Sequence, residues 1–138
     1  MNGKITNPYD VVPLISKYSK KRQEHFGLIC LDSERKVISN KVMFVGSEHQ
    51  SLVDGKMLFW EACSKKASAI IVYHNHPSQC TSPSDTDINL TQKINEAGNI
   101  LGIQLLDHLI IGKYDYFSFL EHDLVLSTKQ ESKVAENV

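Results

Sequence analysis

The chain has 138 residues, 41% of them apolar and 22% charged, and a net charge of −1. That length fits one folded domain with a core of its own, and the composition excludes a chain that is disordered throughout. The near-neutral charge provides no general field for phosphate backbones or anionic lipid, and Lys20-Lys21-Arg22, the one run of three basic residues, reads as a solvated helix end.

The longest apolar run, residues 69–73, is far short of the roughly 18 to 20 residues of a membrane span. Met1-Asn2-Gly3-Lys4 leads into no apolar signal-peptide core, so a cytoplasmic protein is expected. Cys30, Cys63 and Cys80 are odd in number and lie in different settings, which is not a disulfide framework.

In chain order, Asp10 caps a predicted amphipathic helix over 10–21, with Val11, Leu14, Ile15 and Tyr18 at helical spacing and Pro13 in its first turn. Residues 24–32 and 36–47 read as two strands joined by a tight turn at Ser33-Glu34-Arg35. Asp54 caps a second helix running to Lys66, with Leu58, Phe59 and Ala62 toward the core and Trp60 also expected there. The continuous apolar run 69–73 is a strand covered on both faces, followed by loop chemistry from His74 to Pro83. Ser84 opens a helix through Ile88, Thr91, Ile94, Ala97 and Leu101, which Gly102 stops. Strands over 103–111 and 116–120 flank a Gly112-Lys113 turn, and the polar tail 127–138 frays. The expected domains are an N-terminal helical segment, 1–22, a folded α/β domain, 23–126, and that tail. A single mixed sheet flanked by helices is the architecture these elements suit.

Directly after the buried strand stands His74-Asn75-His76-Pro77, and Ser84-Asp85-Thr86-Asp87 follows. In extended backbone, side chains two apart point to the same side about 6.6 Å apart along the chain, so His74 and His76 converge. Two such imidazoles suit Zn²⁺, and Asp87, in the first helical turn, can return a carboxylate to the same point. Three protein ligands leave a fourth position open to water, the mark of a catalytic zinc site. With six histidines in the chain, His-x-His alone is expected by chance about 0.26 times, but adding Ser and Asp at fixed offsets lowers this to roughly 0.0015. Ser84 has two readings that hold together: helix cap in a capping-box variant, and hydrogen-bond donor to a developing oxyanion.

His74-x-His76, Ser84 and Asp87 match the JAMM motif of JAB/MPN zinc metalloproteases. The surrounding HNHPS, SPSDTDINLT and LGIQLLDHLIIG closely resemble the RadC-like subfamily over about residues 23–120. The resemblance implies a JAB/MPN, cytidine-deaminase-like sandwich. It also implies zinc held by His74, His76 and Asp87, a catalytic glutamate on the first strand, and hydrolysis of an amide or isopeptide bond in a protein or peptide substrate. Gln23-Glu24-His25-Phe26 matches the family context of that glutamate and assigns Glu24, which would take a proton from water and pass it to the leaving amine.

Asp107-His108 resembles the family's Asp-His-Leu-Ile-Ile strand and either orients the zinc site or forms a structural hydrogen-bonding pair. Cys80, four residues after His76, is a candidate fourth ligand, although the open three-ligand site already accounts for the spacing. His25, His49 and His122 have no partner pattern and read as ordinary surface or strand residues. An HNH nuclease spreads its motif over a hairpin and helix, and a ββα zinc finger needs paired cysteines, so both are dismissed. The rival reading is a non-catalytic metal-binding or DNA-repair-associated module. It is weakened by the charge of −1 and by the expected lack of the helix-hairpin-helix region that longer RadC-like proteins carry. Insertions that grip ubiquitin in relatives have no room here, so a ubiquitin-like substrate is not supported.

Overall fold

A computed structural model describes residues 3–46 and 53–124. Five strands form one mixed sheet: β1 (Glu24–Leu31), β2 (Val37–Gly46), β3 (Ala69–Asn75), β4 (Gln104–Ile111) and β5 (Tyr116–Ser118), in the order β2-β1-β3-β4-β5. β3 and β4 run parallel, and the other pairs are antiparallel. The parallel pair needs a crossover, which the long helix α3 (Asp85–Leu101) supplies. The α/β sandwich expected from the sequence is what forms.

β3 lies in the middle of the sheet with all seven residues buried. Its period of two divides the core. Ile70 and Val72, with Phe26, Leu28 and Cys30 of β1, face α3 and the helix α2 (Gly55–Ser64), meeting Leu58, Phe59, Ala62 and Ile94. Ala69, Ile71 and Tyr73 face the other way, against Val11 and Ile15 of the N-terminal segment. Fully burying each large aliphatic side chain contributes roughly 1.5 to 3 kcal/mol, so these two layers dominate the stability of the sheet. Gly27 of β1 is part of the second layer, because a Cβ there would overlap the Tyr73 ring.

The N-terminal segment departs from the single helix expected over 10–21. It is a 3-10 turn (Pro8–Asp10), the four-residue helix α1 (Val12–Ile15) and a second 3-10 turn (Ser16–Lys20). The Asn7 side chain, not Asp10, makes the first cap, and Ile15 leaves helical geometry at φ −123°, ψ −3°. The apolar residues still face the sheet.

Two further boundaries shift, and one residue expected in the core lies outside it. β3 continues through His74 to Asn75, so the histidine-bearing segment begins inside the sheet. The last strand ends at Ser118 and turns where extension to 120 was expected. Trp60 is 71% exposed on the outer face of α2 and is not a core residue. Other signals hold: Asp54 caps α2, Gly102 stops α3 at φ 76°, and Asp32 accepts from Glu34 and Lys36 N–H groups to close the β1–β2 turn. No helix among the described residues is long and apolar enough to cross a membrane. Cys30, Cys63 and Cys80 are all unpaired. His49 and the tail 127–138 lie outside the described residues.

One irregularity positions the site. In the β3–β4 register Ile70 pairs with Leu105 but Ile71 pairs with Asp107, so Leu106 is an extra residue. A bulge of this kind reverses the facing of every later residue. His108 consequently stands beside Val72 on the α3 side, while Asp107 stands beside Ile71 on the other.

Candidate metal centre

The site forms where β3 leaves the sheet beneath the N-terminus of α3. His74 and His76 turn to the same side, as extended backbone requires, and their Nε2 atoms are 2.9 Å apart. Asp87 Oδ1 lies 3.4 Å from His74 Nε2, and Oδ2 lies 3.2 Å from His76 Nε2. His74 and Asp87 are fully buried and His76 is partly so.

Ser84 positions the carboxylate. Its Oγ accepts from Asp87 N at 3.0 Å while Asp87 Oδ2 accepts from Ser84 N at 2.9 Å, a complete capping box. The cap expected from the sequence is present. Because Ser84 Oγ is the acceptor in that bond, the hydroxyl keeps its own proton for donation outward. Asp87 Oδ1 is a buried oxygen with no hydrogen-bond partner, and a buried carboxylate oxygen left this way is costly unless a cation completes its surroundings.

The imidazole protons point away from the centre. Cys80 contributes its carbonyl oxygen, 2.7 Å from His76 Nδ1; a carbonyl only accepts, so the Nδ1 proton is committed there and the lone pair of Nε2 faces inward. His74 Nδ1 lies 2.8 Å from His108 Nε2 on the far side of its ring, so its Nε2 also faces inward. Two nitrogen lone pairs and a carboxylate are the donor set zinc prefers. Ligands about 2.0 to 2.1 Å from a tetrahedral ion stand roughly 3.3 to 3.5 Å apart, close to the separations here. Among the described residues, His74, His76 and Asp87 are the group able to hold a metal. The Cys80 side chain is not part of it.

Electrostatics follow the same geometry. Burial pushes the Asp87 carboxyl up, but the adjoining His74 and His76 rings and the hydrogen bond from Ser84 N–H outweigh it and hold the group well below the usual carboxylate range. Burial depresses His74 against the opposing pull of Asp87. His76 is raised, chiefly by Asp87 and, more weakly, by the Cys80 carbonyl and the charge of Glu24.

That last effect locates Glu24. It starts β1, half-buried, two residues before Phe26, which pairs with His74 and stacks on its ring at 5.9 Å. Glu24 therefore shares the sheet face of Phe26 and His74. The other flagged histidines stay apart: His25 binds Gln23 O and packs on Tyr18, and His122 binds Ser118 O and stacks on Phe117.

Two contributions are visible only in three dimensions. Asn75 points to the opposite side from the two histidines; its Oδ1 accepts from His25 N, and its amide donates to Lys21 O and Gln23 O at 3.3 and 3.1 Å. This fastens the segment that delivers Glu24. Thr91 donates to Asp87 O and contacts His108 Nδ1. Its place one turn after Asp87 on the same helical face was the available signal. Of the two readings of Asp107-His108, both apply, one to each residue: His108 borders the centre, and Asp107 bonds Ser118, Leu120 N and His108 N on the other face.

Comparison with known proteins identifies the family of the chain. A UPF0758 protein of Clostridium perfringens is 45% identical over 123 residues, which is 88% of this chain and 54% of the relative. One from Clostridium tetani is 41% identical over 125 residues, 90% of this chain and 55% of the relative. One from Streptococcus equi is 44% identical over 101 residues, 73% of this chain and 45% of the relative. The chain thus spans about half the length of these curated relatives. The model of the RadC-like JAB domain matches residues 5–124, and the chain belongs to that family.

Proposed function

We propose that the domain is a zinc-dependent hydrolase that cleaves an amide or isopeptide bond in a protein or peptide. The observation that carries this reading is the combination of three convergent ligands, His74, His76 and Asp87, with Glu24 on the same sheet face. Zinc, when bound, supplies Lewis acidity that brings the pKa of water toward 7 and polarises a carbonyl.

The residues of the chain do the rest. Glu24 takes a proton from the attacking water and returns it to the departing amine, the two halves of general base and general acid catalysis. Ser84, exposed at the helix start, donates its hydroxyl proton to the oxygen of the tetrahedral species while Asp87 N–H holds its Oγ in place. The three unpaired cysteines suit a reducing cytoplasm. The family of the chain supports the hydrolase reading over a DNA-binding one.

The test is Glu24→Gln, which keeps the shape of the side chain. One zinc per chain with turnover abolished, against peptide or isopeptide-linked substrates found by comparing protein amino termini across a proteome, is the expected result. Persisting turnover sinks the assignment of Glu24 as base.

A further inference from the structure

Metal-ligating histidines usually give their second ring proton to a group that can only accept, a carbonyl or carboxylate, which fixes the tautomer. His76 follows that rule with the Cys80 carbonyl. His74 does not. Its Nδ1 meets another imidazole, His108 Nε2, at 2.8 Å, and a neutral imidazole nitrogen is either donor or acceptor. If His108 carried its proton on Nε2, His74 would have to accept at Nδ1, and its proton would move to Nε2, blocking the metal.

Thr91 removes the choice. Its hydroxyl has one proton, and Oγ1 gives it to the Asp87 carbonyl at 2.7 Å. Toward His108 Nδ1, 2.6 Å away, Oγ1 is therefore an acceptor. That puts the His108 proton on Nδ1, leaves Nε2 bare, and draws the His74 proton to Nδ1. All four residues are buried, Thr91 at 1% exposure and His74, Asp87 and His108 at 0%, so water does not substitute for a partner. Phe119, stacked on His108 at 4.6 Å, and Phe26, edge-on at 5.8 Å, fix the ring plane.

We propose that Thr91 and His108 form a tautomer relay that presents the His74 Nε2 lone pair to the metal. The relay starts from the backbone of Asp87, which is itself a ligand, so one turn of α3 sets both the carboxylate and the protonation pattern of the facing histidine. The proposal rests on the metal reading above and makes Thr91 and His108 positioning residues.

Zinc affinity, measured by competition with a chromogenic chelator, and ¹⁵N–¹H spectra of the imidazoles in zinc-loaded protein, where the ion lies between the Nε2 atoms that are 2.9 Å apart here, provide the test. Thr91→Val keeps the side-chain shape and deletes the hydroxyl; affinity is expected to fall about 10- to 100-fold, with Thr91→Ser restoring it. His108→Phe should lose as much, and His108→Gln, whose amide oxygen reaches the Nε2 position, should recover most of it. In the parent, His74 and His108 should both appear as Nδ1–H tautomers. A parent spectrum with His108 protonated at Nε2, or a folded Thr91→Val protein binding zinc within about two-fold of the parent, overturns the relay. If His108→Phe fails to fold, Thr91→Val and the parent spectrum decide. A parent that binds zinc but cleaves no amide defeats the hydrolase reading and leaves the relay standing; a parent that binds no zinc overturns the relay itself.

Discussion

Asn75 Oδ1 lies 2.6 Å from the backbone nitrogen of His25, joining the middle residue of the His-Asn-His triplet to the segment that carries Glu24. With the amide also donating to Lys21 O and Gln23 O, one buried side chain closes three backbone groups. Asn75→Ala should cost about 1 to 3 kcal/mol by leaving those groups unpaired. The sharper expectation is a division of effects: turnover falls at least ten-fold because Glu24 loses its placement, while zinc content stays at one per chain. Metal analysis beside kinetics checks this, and a parallel loss of zinc would show that Asn75 serves the histidines instead.

His74→Ala and Asp87→Ala should each bring zinc content below one per chain in dialysed protein. Asp87→Asn is the more informative substitution. It keeps the shape of a residue whose carboxylate also closes the helix cap, so an unchanged melting temperature with zinc lost would separate the ligand from the cap. Equal zinc in variant and parent would refute the site.

The three candidate ligands were legible because each obeys a local rule. The alternation of an extended chain aligns His74 with His76, and a capping box fixes Asp87 in the first turn of its helix. The relay partners give weaker signals. Thr91 fits any buried helical position, and whether Asp107 or His108 enters the site depends on the bulge at Leu106, which only pairing with β3 reveals. Trp60 shows the opposite failure. Its size suggested a core position, but the helix periodicity that buries Leu58, Phe59 and Ala62 leaves it outside. The N-terminal segment presents Val11 and Ile15 to the sheet from short turns as well as a regular helix would, so apolar spacing alone did not distinguish them.

Ser84 permits its two roles to be separated. Ser84→Ala should lose the cap, costing about 1 kcal/mol, and the outward donor. Ser84→Asp keeps a capping acceptor but has no proton to give. If the hydroxyl serves the oxyanion, both variants lose roughly 10²- to 10³-fold in kcat, and only the alanine variant loses stability. Thermal melts with single-turnover kinetics make the distinction; full activity in Ser84→Asp would reduce Ser84 to a cap.

Asp107 predicts a pH effect on folding. Burial raises its pKa from 3.8 to about 6, against the hydrogen bonds from Ser118 and the Leu120 and His108 N–H groups. The folded chain holds this proton more tightly than the unfolded one, so the stabilisation is complete below pH 3.8 and is lost as pH rises through about 6. At about 1.4 kcal/mol per unit, the loss amounts to roughly 3 kcal/mol. Asp107→Asn resembles the protonated form and should remove this component. Urea melts of parent and variant between pH 4 and pH 7 should diverge with rising pH, the parent losing more, and parallel curves would count against the assignment.

The bulge at Leu106 makes β4 behave like a text with a reading frame. Pairing Leu106 with Ile71 in strict alternation would leave every letter unchanged and exchange the addresses of two neighbours. A carboxylate would then stand beside Val72 on the α3 side where an imidazole now does, and an imidazole would take the other face, where Asp107 now accepts from Ser118 and the Leu120 N–H. An aligned Asp-His pair in a relative therefore carries the same chemistry only if the register of β4 against β3 is also preserved.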